Sequence, residues 1–213
     1  ADLFGDKMLL NEPEAMEALQ YLHDMVWGDN PVAPNEAQTG EFGWWNIFST
    51  GKTAFMESHS WTVTNYIREN DFRWDFTDLP LAPGGGKAGL TFTNGYSIGH
   101  STKYPEQSVR LLDFLVGPWT QKATAVGIIG SQPARRSMTD VWDEQSMGAR
   151  SGYDVAAFTR TMDEARLQPA FKDGAAVNEI INPVWDQIWL TGEMGLKEGV
   201  DLMVQRVDEF YAG

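Results

Sequence analysis

Apolar residues recur at intervals of three and four along several segments, the spacing that places them on one face of a helix. Between residues 13 and 27, Leu19, Leu22 and Val26 follow this spacing, and Pro13 suits the first turn of a helix. Most of the chain after residue 153 has the same character. Helices are predicted over 13–27, 61–68, 105–116, 118–126, 153–167, 177–191 and 196–211.

A period of two, typical of half-buried strands, occurs in fewer places. It is clearest over residues 74–80, where Trp, Phe and Leu alternate with Asp and Thr before a proline. Shorter strands are predicted over 51–57 and 96–99. Few strands scattered among helices predict an α/β arrangement in which helices cover a sheet.

Two Gly/Pro-rich stretches, 83–86 and 130–136, interrupt the regular pattern. They bracket a central segment and leave similar helical segments on both sides. This order predicts a discontinuous domain with an insert, in which the chain crosses twice between two bodies.

Composition and charge narrow the function classes. The chain has 213 residues, and 30 acidic against 16 basic side chains give a net charge of −14. This balance argues against binding to nucleic acid or to an anionic membrane, because both need clustered cations. The absence of cysteine excludes disulfides, thiolate metal sites and thiol catalysis.

Two short motifs resemble catalytic or phosphate-binding signatures but lack essential parts. Residues 95–99 match the G-x-S-x-G nucleophile elbow around Ser97, yet His100 follows with no acid between the two. Residues 84–87 are glycine-rich and end in lysine, but Ala88 stands where a phosphate loop needs a hydroxyl. We interpret the first as a strand and the second as a linker.

No metal or cofactor is predicted. The three histidines, at 23, 59 and 100, lack the paired spacing of a metal site. Adjacent acids such as Asp163 and Glu164 lie in a predicted helix, where a solvated face explains them better than acid–base catalysis.

The aromatic residues point to a ligand. A pyranose ring has an apolar C–H face that stacks on an indole, while its hydroxyls need polar partners. Core packing is the alternative for any one tryptophan. The aromatic candidates at element ends are Trp44, Trp45, Trp61, Trp185 and Tyr96, and the candidate polar partners are Glu57, Ser58, Asn94, Asp186 and Arg135.

The order of several stretches resembles the sugar-binding receptors of ABC importers, the family of extracellular solute-binding proteins related to maltose-binding protein. The stretches are 48–61, with its Gly-Lys-Thr-Ala-Phe core and Trp61, then 72–80, 94–99, 103–115 and 130–135. The resemblance covers nearly the whole chain, and its order and spacing are more specific than any single piece.

The resemblance implies ligand roles for particular residues. It makes Trp61 a sugar-stacking residue and places Asn94, Gly95 and Tyr96 where the chain re-enters the other lobe and faces the cleft. Arg135 matches the second crossing, and Trp185 matches a late aromatic that lines the pocket. The complete set of expected ligand-binding residues is Trp61, Trp185, Tyr96, Asn94, Gly95, Glu57, Trp44 and Arg135.

The family further implies a two-lobed fold of the periplasmic-binding-protein type II kind. This chain is shorter than a whole receptor, so we expect a fragment. Residues 1–82 and 136–213 would form most of the C-terminal lobe, and 83–135 would belong to the N-terminal lobe. Because the predicted helix over 105–116 would then expose its apolar face, we expect the fragment to self-associate or to pair with the missing N-terminal half.

The resemblance thus implies the substrate-binding component of an ABC-type carbohydrate importer, which captures a sugar by hinge closure and performs no chemistry. Its partners would be the carbohydrate and the membrane permease subunits. The location would be periplasmic or extracytoplasmic, with secretion and, as one option, a lipid anchor on the precursor. A carbohydrate-active enzyme such as a glycosidase and an interaction module that ignores sugars are the alternatives.

Overall fold

The computed structural model describes residues 4–40, 43, 46–82, 84–127 and 130–213. The structure is mixed α/β and mostly helical. Its helices are α1 (Pro13–Trp27), α2 (Glu36–Thr39), α3 (Val63–Glu69), α4 (Pro105–Leu115), α5 (Pro118–Val126), α6 (Thr139–Gln145), α7 (Met147–Arg150), α8 (Ala156–Met162), α9 (Gly174–Trp189) and α10 (Leu196–Ala212). Short 3-10 turns occupy Phe48–Thr50, Ser60–Thr62 and Arg136–Met138.

The strands among the described residues form two short parallel pairs. The pair of β1 (Phe4–Gly5) with β4 (Ala170–Phe171) belongs to one part of the chain. The pair of β2 (Gly89–Thr91) with β3 (Ala165–Leu167) belongs to another, with Gly89 opposite Ala165 and Thr91 opposite Leu167. Parallel partners far apart in sequence fit an α/β chain that returns to its sheets after helical segments.

The chain divides into two compact units. Residues 1–47 and 168–213 form the first unit, and residues 48–167 form the second. The predicted lobe boundaries, 1–82 with 136–213 and 83–135, stay a prediction.

Three helices build the core of the first unit. Residues of α1, α9 and α10 are buried together, and Gly199 in α10 allows the closest approach. A Cβ at Gly199 would lie 2.5 Å from Cδ1 of Ile188, which is itself fully buried in α9. The two helices therefore pack at a distance that only glycine permits at this position.

An aromatic core dominates the second unit. Trp142 of α6 is fully buried, and its indole N–H donates to the carbonyl of Val155 over 3.1 Å. Trp74 stacks on Tyr153 with ring centroids 4.2 Å apart and lies edge-on to Phe76. These rings anchor the extended segment 72–78 to the helices of this unit.

Several sequence-based predictions of elements are confirmed and others are wrong. The predicted first and last residues of α1, α4, α5 and α10 agree with the observed ones to within one residue. The segment 74–80 has the predicted alternation of burial up to residue 78, but no described strand pairs with it. Its inward rings pack on other aromatic side chains, which buries them without a β-ladder. The predicted helix over 153–167 is shorter, because residues 165–167 pair with β2 instead.

The helix α4 leaves an apolar surface exposed. None of its residues is fully buried, and three of its apolar side chains together with Trp119 of α5 are more than half exposed. The residues concerned are Val109, Leu111, Phe114 and Trp119. The expected self-association through this helix stays a prediction, and the exposed surface supports it.

We expect the isolated chain to self-associate through this exposed apolar surface. Leu111→Glu should shift it toward the 23.8 kDa monomer, because the introduced charge would have to be desolvated in the interface. Light scattering measures the mass. Arg110→Gln, which makes the same change in charge without removing apolar surface, should leave the assembly intact. A wild-type chain that is strictly monomeric would contradict the expectation.

A second prediction concerns the approach of α9 and α10. Gly199→Ala should lower the free energy of unfolding by about 1–3 kcal/mol, because Ile188 is too enclosed to yield. Gly174→Ala is the matched control, since a Cβ there meets nothing within 4 Å. Chemical denaturation measures both variants, and equal stability of the two would show that the helices do not pack this closely.

Candidate functional site

Trp61 lies on a rigid turn in the second unit. The hydroxyls of Ser58 and Thr62 are 2.5 Å apart, and the Thr62 hydroxyl also donates to the carbonyl of His59 over 2.8 Å. The backbone N–H of Thr62 donates to the same carbonyl over 3.0 Å. These bonds close the turn around Trp61 and leave its own ring 45% exposed.

Burial of the residues that follow fixes the turn to the core. Thr62, Val63 and Thr64 are buried in succession at the start of α3, and Tyr66 is buried after the exposed Asn65. The pKa of Tyr66 is raised above its usual value, chiefly because burial disfavours the phenolate. The part-exposed indole of Trp61 therefore lies directly before a buried helix start.

A glycine at the second crossing packs against the same helix. Gly130 has φ of 57°, and a Cβ there would lie 2.3 Å from Cγ2 of Thr64. The positive φ and the lack of room for a Cβ both favour glycine at this position. The predicted crossing segment thus contacts the helix that carries the Trp61 turn.

Two further rings lie beside Trp61. The His59 ring stacks on the Trp61 indole with centroids 5.6 Å apart and planes 9° apart. Phe92 meets the His59 ring edge-on, with centroids 5.8 Å apart and planes 83° apart. Phe92 is 56% exposed. We call His59, Trp61 and Phe92 the three-ring cluster.

The position of Phe92 follows from β2, which ends one residue before it. Besides pairing with β3, this strand packs through Gly89 against α8, where a Cβ would lie 2.4 Å from Cγ2 of Thr161. Any larger residue at 89 would push the strand off the helix. Close packing at Gly89 therefore sets where Phe92 stands.

An ion-pair network holds the neighbouring chain to α8. The guanidinium of Arg160 donates to Asp78 over 2.8 Å and to Asp154 over 2.7 Å. Asp75 accepts the backbone N–H of Asp154 over 2.8 Å. The hydrogen bonds from Arg160 hold the pKa of Asp154 below its usual value. This network ties the extended segment before β2 to the helix beneath it.

The remaining predicted residues of the second unit are exposed. Glu57 lies just before the Trp61 turn. Asn94, Gly95 and Tyr96 follow Phe92 along an irregular segment, with Tyr96 58% exposed. Their ligand roles stay predictions.

Arg135 has a structural contact. Its Nε donates to the carbonyl of Val116 over 2.7 Å, where α4 ends. The neighbouring N–H of Ala134 donates to the side chain of Gln121 over 2.8 Å. Arg135 therefore fastens the crossing segment to the end of α4, while Ala134 fastens it to α5, and the ligand role of Arg135 stays a prediction.

The two other tryptophans differ from Trp61. Trp185 belongs to the first unit, where its side chain is partly buried against the core of α9 and α10. Its ring lies 5.5 Å from that of Trp189. Trp44 lies outside the described residues. For both, a ligand role stays a prediction.

Phe92 is the residue that sequence reasoning missed. Leu90 and Phe92 are separated by one threonine after the glycine-rich turn, a short alternation that indicates a strand near 89–92. The alternation spans too few residues to distinguish a strand from a loop. His59 was considered in the sequence only as one of three histidines that lack the spacing of a metal site.

A groove in the first unit contains none of the predicted ligand residues. It has a volume of about 490 Å³ and lies where α1 ends, lined mainly by Val26, Trp27 and the prolines that follow. Its polar residues Asn35 and Gln38 already bond to each other's backbone at the start of α2. The polar groups that would orient a ligand are thus committed to the helix.

The described residues contain neither a cluster of metal ligands nor a helix that could span a membrane. Within 4–40, 43, 46–82, 84–127 and 130–213, no three His, Asp or Glu side chains converge as metal ligands would. Over the same ranges, every helix is too short or too polar to traverse a bilayer.

Comparison with known proteins places the chain in a family. The profile of the bacterial extracellular solute-binding protein family matches residues 1–149, so the chain belongs to that family. Proteins of this family act outside the cytoplasm, and they are binding proteins rather than enzymes.

Binding proteins of Brucella abortus (strain 2308) and Brucella suis biovar 1 (strain 1330) are each 24% identical over 185 residues. The match covers 85% of this chain and 43% of each relative, so the chain spans less than half of their length.

Solved structures share the fold. An ABC substrate-binding protein from Listeria monocytogenes in complex with cycloalternan superimposes with a TM-score of 0.82 at 17% identity, over 100% of this chain and 54% of that one. The maltose/maltodextrin-binding domain MalE from Bdellovibrio bacteriovorus, bound to maltotriose, superimposes with a TM-score of 0.69 at 17% identity. The match covers 97% of this chain and 52% of that one. UspC from M. tuberculosis superimposes with a TM-score of 0.68 at 22% identity, and the match covers 96% of this chain and 50% of that one. The predicted fold class is confirmed: the chain has the fold of about half of a periplasmic solute-binding protein.

The Arg160 network predicts a pH-dependent contribution to stability. Because the pKa of Asp154 is depressed in the folded chain, its pairing stabilises the fold above the unfolded pKa of about 3.9, and this contribution is lost as pH falls through the folded value. Arg160→Gln should raise the pKa of Asp154 toward its ordinary value, as measured by NMR titration.

The same variant should be less stable than the wild type at neutral pH, and the difference should shrink in acid. Arg68→Gln, on the exposed side of α3, should change neither the pKa of Asp154 nor this pH dependence. An unchanged Asp154 pKa in Arg160→Gln would contradict the proposed electrostatic link.

Proposed function

We propose that this chain is part of the substrate-binding component of an ABC-type carbohydrate importer and that its ligand stacks on Trp61. The observation that carries the proposal is an exposed indole on a hydrogen-bonded turn whose neighbours are buried. A large aromatic side chain that stays 45% exposed forgoes part of the free energy that full burial would give. A rigid turn that keeps it exposed is what a stacking platform for a ligand requires.

The chemistry around Trp61 suits a neutral sugar. The indole offers an apolar face, while Glu57 and Asn94 are exposed acceptors and donors on the flanking segments. The net charge of −14 disfavours anionic ligands. Two structural neighbours bound to cycloalternan and to maltotriose support an oligosaccharide as the ligand class.

Capture in the whole protein would use two walls. This chain spans about half of the proteins it resembles, so a ligand held between lobes would receive only part of its contacts here. Closure about the two crossings, 83–86 and 130–136, would then be stabilised only through contacts of the sugar with both lobes. We therefore expect weak binding to this chain alone, and transfer to membrane permease subunits only by the complete receptor.

The proposed role needs no catalytic group. The family members are binding proteins, which supports capture without chemistry. The glycosidase alternative requires two carboxylates facing one bond. A purely structural module would not respond to sugars at all.

Titration with sugars tests the proposal. We expect maltotriose to shift the indole N–H signal of Trp61 in NMR spectra saturably, with a Kd of about millimolar size, because one wall supplies few contacts. Trp61→Ala should weaken binding by about tenfold or more, and Tyr21→Ala, which removes an exposed ring on α1, should not. The maltotriose recovered after the titration should be intact, without hydrolysis.

A panel of neutral mono- and oligosaccharides that leaves the spectra unchanged would contradict the proposal. Release of reducing ends during the titration would favour the glycosidase instead. Binding that survives Trp61→Ala unaltered would place the ligand elsewhere.

A further inference from the structure

Two part-exposed rings of the three-ring cluster, those of Trp61 and Phe92, differ in orientation. The His59 plane is nearly parallel to that of Trp61 and nearly perpendicular to that of Phe92. The Trp61 and Phe92 planes are therefore close to perpendicular, with the His59 ring in contact with both. All three residues belong to the second unit, so this geometry lies within one compact body.

The strand that precedes Phe92 fixes the position of this residue but does not cover its side chain. The backbone of β2 is fixed by its pairing with β3 and by the close approach of Gly89 to Thr161. Those contacts place Phe92 next to His59, yet more than half of its side chain faces solvent. A phenylalanine held on a fixed backbone beside a second exposed ring has the character of a contact surface.

We propose that Phe92 is a second ligand-contacting ring and that it selects for ligands with at least two linked sugar rings. The inference rests on the proposed function of Trp61. One pyranose can lie flat on a single aromatic face. Because Trp61 and Phe92 face different directions, one flat sugar cannot stack on both, whereas two sugars joined by a bent glycosidic linkage can each cover one ring.

The inference separates the roles of the two rings. Trp61 would contribute to the binding of any sugar that reaches the site. Phe92 would contribute only when a second sugar is present. The ratio of affinities for a trisaccharide and a monosaccharide therefore reports on Phe92, independently of the absolute affinity.

The test compares glucose and maltotriose on the full 213-residue chain. Backbone amide shifts in the Trp61 turn give the Kd for each sugar in the wild type, Phe92→Ala and Phe92→Leu. Both variants should weaken maltotriose binding by about 3- to 10-fold and leave glucose binding unchanged. Phe55→Ala, which removes a ring that is 88% exposed outside the cluster, should alter neither sugar.

Several results would overturn the inference while the proposed function stands. They are unchanged maltotriose binding in Phe92→Ala, equal losses for both sugars, and wild-type selectivity in Phe92→Leu, which keeps the apolar volume without the aromatic face. Failure of both sugars to shift any signal of the wild-type chain would instead reject the proposed function, and the inference with it. Spectra of the variants that match the wild type away from residue 92 confirm that the fold is intact.

Discussion

The hydrogen-bonded turn between Ser58 and Thr62 is the constraint on which the account of this molecule depends. Its hydroxyl pair and the carbonyl of His59 fix the backbone, and the buried run that begins at Thr62 prevents the turn from rotating. A tryptophan in a mobile loop would turn inward to bury its ring. Here the turn is fixed by hydrogen bonds and Trp61 is 45% exposed, so a ligand can reach its indole.

Close packing elsewhere supports the same arrangement. Gly130 lets the crossing segment touch α3, and Gly89 lets β2 touch α8. Arg160 joins the extended segment 72–78 to that helix through two carboxylates. These contacts lie within one compact unit, and together they position the three rings. A surface organised before binding loses less conformational entropy when a sugar arrives.

Local signals explain which parts of this structure the sequence predicts. Pro13, Pro105 and Pro118 mark helix starts that the structure confirms, because proline at the first turn and apolar periodicity agree there. The strand β2 has three residues and depends on pairing with residues 165–167, and the alternation of Leu90 and Phe92 is too short to distinguish it from a loop. Phe92 was missed for the same reason. Trp61 was found through the family resemblance and its place at an element end, but its rigid exposure depends on tertiary burial that no local pattern shows.

The central claim is that a sugar covers the face of Trp61, and saturation-transfer difference NMR measures this contact directly. With maltotriose in excess over the chain, the C–H protons of one pyranose face should receive the strongest saturation, and intermolecular nuclear Overhauser effects should connect them to the indole protons of Trp61. Saturation spread evenly over the sugar, or Overhauser effects to other aromatic rings with none to Trp61, would contradict the account.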